Sequence, residues 1–160
     1  MADTVRIVAL ADRPDLVPGL ARHFVAEWTP HYGPNGSGDA MADLTACRNR
    51  DTLPLALVAI GADGEALGTA ALKQDSVGSR PGQGPWLAAL LVIPQQRGRG
   101  VGTRLIAAIE DEARRLGFDA LYTSTDAARD LLRRRGWMAL HDVPSLRGPM
   151  TVCRLDLNRQ

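Results

Sequence analysis

Leu87-Ala-Ala-Leu-Leu-Val-Ile-Pro94, followed by Gln95-Gln-Arg-Gly-Arg-Gly-Val-Gly102 and then Thr103 to Leu116, is the stretch that decides the fold. The first segment is an unbroken apolar run closed by a proline that cannot donate to a sheet ladder, and it reads as a buried strand. In the third segment Val101, Leu105, Ile109, Ala113 and Leu116 recur at three- and four-residue steps and predict one apolar helix face. Arg104, Glu110, Asp111, Arg114 and Arg115 are expected away from that face, and Gly117 is the expected stop. Between strand and helix, Gly98, Gly100 and Gly102 strip side chains from a turn that feeds a helix N-terminus. Free backbone N–H groups and the positive end of the helix dipole meet there, which makes a seat for an anion.

Outward from this centre the chain divides readily. Thr4 to Leu10 is an expected strand. Asp12 or Asp15 offers an N-cap beside Pro14 for a helix with the face Val17, Leu20, Phe24 and Trp28, ending near Thr29-Pro30. Residues 31–38 are rich in turn formers and are expected to face substrate or to move, and a second helix is expected from Asp39 to Arg50. Pro54 to Ile60 and Ala66 to Lys73 form a hairpin around Gly61-Ala-Asp-Gly64. After the central helix come a strand from Phe118 to Ser124, a helix from Ala127 to Arg135 capped by Thr125-Asp126 and stopped by Gly136, and strands Trp137 to Asp142 and Met150 to Leu157. The helix joining the 87–94 and 118–124 strands forms a right-handed crossover, so that pair should be parallel and the earlier strands antiparallel.

Bulk composition narrows the function. A chain of 160 residues suits one domain, taken here as residues 1–160. A net charge of +1 lacks the excess basicity of a nucleic-acid binder, and Lys73 is the only lysine. Cys47 and Cys153 are isolated, so neither metal binding nor redox chemistry is suggested. The Met1-Ala-Asp-Thr start carries an acid and no apolar leader, and no run approaches membrane-spanning length, so a cytoplasmic protein with no membrane partner is expected.

Two anion-binding motifs fail on residues. Gly102-Thr103-Arg104 lacks the lysine of a P-loop, and Thr103 stands where a dinucleotide fingerprint needs its third glycine. The stretch instead resembles motif A of the GCN5-related N-acetyltransferases, Arg/Gln-x-x-Gly-x-Gly/Ala, matched by Arg97, Gly100 and Gly102. Gly136-Trp137 is similar to that family's Gly-Phe/Trp step, and the order β-α-α-β-β-β-α-β-α-β-β is similar to the family's over essentially the whole chain. The resemblance implies an α/β fold: a mixed, mostly antiparallel sheet whose one parallel pair splays around the cofactor, with helices on both faces. It implies acetyl-CoA as cosubstrate, a primary amine (small molecule or peptide N-terminus) as acceptor, and direct attack in a ternary complex. Homodimers are frequent in the family.

The resemblance also implies site residues. Gln96, Arg97, Gly98, Arg99, Gly100, Val101, Gly102 and Thr103 would hold the diphosphate, and a backbone N–H of Leu91 or Val92 would face the thioester oxygen. Thr125 stands near a cofactor-touching asparagine of many relatives and could serve there or only cap. The family's tyrosine acid maps to Leu132 and is absent, which leaves Tyr122 or Tyr32 as the tyrosines for proton donation. It also motivates a rival reading, a catalytically weak acyl-CoA sensor or scaffold. Glu27, His31 and Asp75 are candidates for the base; Glu27 also reads as a solvated helix-face residue, His31 as an exposed turn residue and Asp75 as a turn former.

Overall fold

The computed structural model describes residues 4–158; Met1–Asp3, read above for a leader, and Arg159–Gln160 lie outside the described residues. Seven strands form one sheet in the order β1-β2-β3-β4-β5-β7-β6: β1 Arg6–Ala9, β2 Leu55–Ile60, β3 Ala66–Lys73, β4 Trp86–Val92, β5 Ala120–Thr125, β6 Met138–Val143 and β7 Met150–Asp156. Every pairing is antiparallel except β4 with β5, as the crossover rule requires. The connecting helix is α4, Val101–Arg115.

Each face of the sheet carries its own core. On one face α4 packs Val101, Leu105, Ile106, Ile109 and Ala113 onto Leu57, Leu72, Leu87, Leu121 and Leu155. On the other, α1 (Val17–Glu27) and α3 (Ala40–Ala46) bury Val17, Leu20, Phe24 and Leu44 against Val58, Ile60 and Leu91. β2 is buried at all its positions because helices cover both of its faces.

Several expectations about helix ends need correction. Neither Asp12 nor Asp15 caps α1, whose N-cap is Leu16 with no side-chain hydrogen bond. Asp15 is drawn instead to Arg13 at 2.9 Å, and Asp12 to Arg50. The helix breaks at Trp28 and resumes as a single turn, α2 (Thr29–Tyr32). α3 stops at Ala46, well short of Arg50, and Arg48 bridges to Leu55. Its N-cap is Asp39, which accepts from the Ala42 N–H at 3.0 Å. The last helix, α5 (Arg129–Arg134), opens two residues late because the Thr125 hydroxyl takes the Ala128 N–H at 2.9 Å.

Glu110 is a further correction. The 3.6-residue pattern places it outward, yet it is 4% exposed. The turn from the last helix into β6 meets that flank of α4, and Glu110 there accepts from Arg135 at 2.7 and 3.1 Å and from the Trp137 indole at 3.0 Å. A buried carboxylate survives only with such donors around it.

Candidate active site

The site begins where β4 and β5 part. They are in register at one position only, Trp86 opposite Tyr122, with the Tyr122 N–H donating to Pro85 at 2.9 Å. One residue further on, a side chain takes over: the buried Thr123 hydroxyl donates to the Leu87 carbonyl at 2.8 Å. Beyond that the strands diverge into a wedge.

A bulge re-aims the exposed edge of β4. Ala88 pairs with Ala71 and Leu91 with Thr69, so Ala89 and Leu90 together face one residue of β3. Ala89 has φ 53°, a left-handed conformation that costs a non-glycine residue about 1–2 kcal/mol. Bulges cluster beside active sites because they redirect groups next to a ladder. Past the bulge, the Ile93 N–H reaches β3 through the Leu67 carbonyl, whereas the Val92 carbonyl accepts from Arg97 Nε at 3.0 Å. Backbone groups alternate sides along a strand, so Val92 turns its amide groups into the wedge and Leu91 turns its own toward β3.

The wedge continues into a cleft of about 810 Å³. Leu87 to Val92, Thr123 to Ala128 and Leu132 form its walls; Glu27, Trp28, Tyr32, Asp43, Lys73 and Asp75 lie at the α1–α3 side. Arg97 marks the point where the cleft meets the glycine turn. From there Gly98 and Gly100, both at φ 80°, carry the chain into α4.

Three features give the start of α4 the chemistry an anion would need. The first helical N–H bond runs from Arg104 to the Gly100 carbonyl at 3.1 Å, so the N–H groups of Val101, Gly102 and Thr103 have no acceptor within the helix. No side chain caps Gly100, and the first turn holds no acid. The positive end of a 15-residue helix is therefore left for a ligand.

The structure brings Leu91, Val92, Arg97, Thr125, Glu27 and Asp75 to the cleft, and Gln96 and Gly98 to Thr103 to the turn at its end. Thr125 both lines the cleft and caps the turn into α5. Tyr122 is not brought there. It sits at the closed end of the wedge, its ring 5.5 Å from Trp86 and its hydroxyl accepting from Arg154 at 3.3 Å. The strands are still paired at that level, which denies the phenol a path to the open end. Leu132, in the place of the absent tyrosine, is 2% exposed and presents only carbon to the cleft.

Other groups in the cleft carry no periodic signal in the sequence. Tyr32 donates to Asp43 at 2.6 Å, and burial first, then this bond, pushes the phenol well above its ordinary value. Lys73, at the end of β3, and the β6–β7 turn residues Ser145, Leu146 and Arg147 also line it. Arg147 reaches across to Asp126 at 3.6 Å. Among the described residues no group of three or more His, Cys, Asp or Glu is placed to hold a metal ion, and no helix is long and apolar enough to cross a membrane.

Residues 20–137 match the family model described as the acetyltransferase (GNAT) family, and the chain belongs to that family of acyltransferases. Among solved structures, an aminoglycoside 6'-N-acetyltransferase complexed with coenzyme A superposes with a TM-score of 0.75 at 15% identity, covering 97% of this chain and 98% of that one. A GCN5-related N-acetyltransferase from Kribbella flavida gives 0.68 at 24% identity over 97% and 98%. A putative acetyltransferase from Salmonella typhimurium, solved with its cofactor acetyl-CoA, gives 0.67 at 19% identity over 100% and 96%. These likenesses establish the fold. No curated protein sequence matches the chain.

Proposed function

We propose that this acetyltransferase transfers an acetyl group from acetyl-CoA to a primary amine, on a small molecule or a peptide N-terminus, by direct attack in a ternary complex. The observation that carries the reading is the alignment of the wedge with the uncapped start of α4: a parallel pair that opens after one position and leads, along the Val92 edge, to free N–H groups. The binding of coenzyme A and acetyl-CoA by the two ligand-bound neighbours is consistent with it.

Acetyl-CoA would supply the acetyl thioester and a thiol leaving group. The residues supply the rest. The amides of Gly98 to Thr103, with Gln96, Arg97 and Arg99 around them, would hold the diphosphate. Because backbone groups alternate along β4, the Val92 N–H rather than that of Leu91 would face the charge that develops on the thioester oxygen, and a fixed donor of this kind is worth about 10²–10³ in rate. The cleft carboxylates are Glu27, Asp43, Asp75 and Asp126; Asp43 is engaged by Tyr32 and Asp126 by Arg147, which leaves Glu27 and Asp75, with His31 beside them, to take the amine proton directly or through water. With Leu132 in place of a hydroxyl, the thiolate leaves without a tyrosine; a thiol of pKa near ~8.5 permits this.

Leu132 is also what favours the second reading, an acyl-CoA sensor. Free-thiol release from acetyl-CoA, followed across mono-, di- and polyamines, amino acids and peptide N-termini, decides between them. Amine-dependent thiol release at any of these supports the enzyme. Acetyl-CoA binding with no turnover across the set supports the sensor.

A further inference from the structure

Arg97 joins the two halves of the site. Its Nε donates to the Val92 carbonyl at 3.0 Å, and its terminal nitrogen pairs with Glu27 at 2.7 Å, 70 residues away in sequence. The guanidinium thus sits on the edge of β4 along which the pantetheine arm would run, and it is attached to the turn that would receive the diphosphate. Glu27 is the last residue of α1, at the negative end of that helix, where a carboxylate is held best by a cation.

From this geometry we infer that Arg97 is a cofactor-operated clamp on Glu27. The inference rests on the acetyl-CoA reading given above. In the free enzyme the guanidinium covers Val92 and neutralises Glu27. Arrival of the cofactor presents a diphosphate at the other side of Arg97 and a chain of amides that competes for Val92. The guanidinium, whose planar fork suits phosphate oxygens as well as carboxylate, turns to the diphosphate. Glu27 is then released into the cleft, unpaired and facing the position of the acceptor ammonium. The pair is suited to such an exchange because its side chains are 50% and 33% exposed: an ion pair in that setting is weak enough to be broken by a stronger anion. Arg97 acts here as a positioning residue, through Glu27.

Calorimetric titration of coenzyme A into four proteins tests this: wild type, Glu27→Gln, Arg97→Gln and the double variant. If cofactor binding must first break the pair, Glu27→Gln should bind coenzyme A about two- to five-fold more tightly, the range an exposed ion pair allows. The gain should vanish in the Arg97→Gln background. Glu27→Asp, one methylene shorter and so a weaker partner for Arg97, should show part of the gain while keeping the charge. An unchanged or weaker affinity in Glu27→Gln, or an equal gain with and without Arg97, overturns the clamp and leaves the acetyl-CoA reading standing. Failure of the wild type to bind coenzyme A removes both.

Discussion

Gly68→Ala is the most informative perturbation, because Gly68 is where β3 lies closest to the wedge edge of β4. The two residues in register are Gly68 and Val92. A Cβ at position 68 would lie 2.7 Å from the Leu91 carbonyl oxygen, 3.2 Å from Leu105 Cδ1 and 3.3 Å from Val92 Cα. Real Cβ contacts essentially never fall under 3.0 Å, and two of these three atoms are backbone, which cannot rotate away. β4 must therefore move by a few tenths of an ångström at Leu91 and Val92. Overpacking of this kind costs about 1–3 kcal/mol of stability. The larger effect should fall on rate, since the displaced amide is the one assigned to the thioester oxygen. Removal of such a donor costs about 10²–10³, and partial misplacement should cost about 10- to 100-fold in kcat. Coenzyme A affinity should change little, because the diphosphate seat lies at the far end of the turn. Thiol release gives kcat, calorimetry gives affinity, and a melting curve confirms folding. Gly19→Ala is the control: it lies on α1 outside the cleft lining, and its Cβ would meet only Arg22 Nη2, at an ordinary 3.6 Å. A folded Gly68→Ala variant with wild-type kcat would refute the assignment of the Val92 amide.

Four further predictions follow from other parts of the molecule. Gly100→Glu puts a carboxylate at the uncapped start of α4, and coenzyme A binding should weaken by at least about ten-fold, with backbone strain at φ 80° costing about 1–3 kcal/mol of stability; unchanged affinity in a titration would remove the turn from the site. Glu110→Ala leaves the Arg135 guanidinium and Trp137 indole without their acceptor, and should cost about 2–4 kcal/mol, less than a fully buried pair because Arg135 is 29% exposed; denaturant unfolding measures it, and a loss under about 1 kcal/mol would contradict the geometry. Tyr122→Phe should leave kcat within about two-fold across pH, since its hydroxyl meets Arg154 outside the cleft and loses one hydrogen bond of about 1 kcal/mol; a ten-fold fall would restore it as a proton donor. Finally, burial pushes the thiols of Cys47 and Cys153 and the phenol of Tyr32 upward, so the folded state holds these protons more tightly than the unfolded state. Their contribution is complete below the unfolded values of about 8.5 and 10, and is lost as pH rises above them, so melting temperature should fall from about pH 9 upward; a flat alkaline limb would contradict this.

Much of this site was legible because its central parts are contiguous. The apolar run, the proline, the three glycines and the periodic helix face lie within 30 residues of one another, and each is a local signal with a local cause. The parallel pair and the bare turn before α4 follow from them, whereas the place of β7 between β5 and β6 does not. The helix ends were less legible, because a cap depends on which partner an aspartate finds: Asp39 caps α3, whereas Asp15 is taken by Arg13 and Asp12 by Arg50.

By itself the sequence determined the crossover, the bare turn and the family, since backbone propensity, side-chain periodicity and the residues of one short motif are properties of neighbours along the chain. Tertiary structure alone decided the rest. Tyr122 lies at the closed end of the wedge and Val92 on its open edge because β4 and β5 separate after a single pair. Glu110 is buried because Arg135 and Trp137, in the turn from α5 into β6, come to rest on its side of α4. Glu27 meets Arg97 because α1 and the glycine turn converge on the same cleft. No spacing rule encodes these placements, for each is set by where elements distant in sequence come to rest against one another.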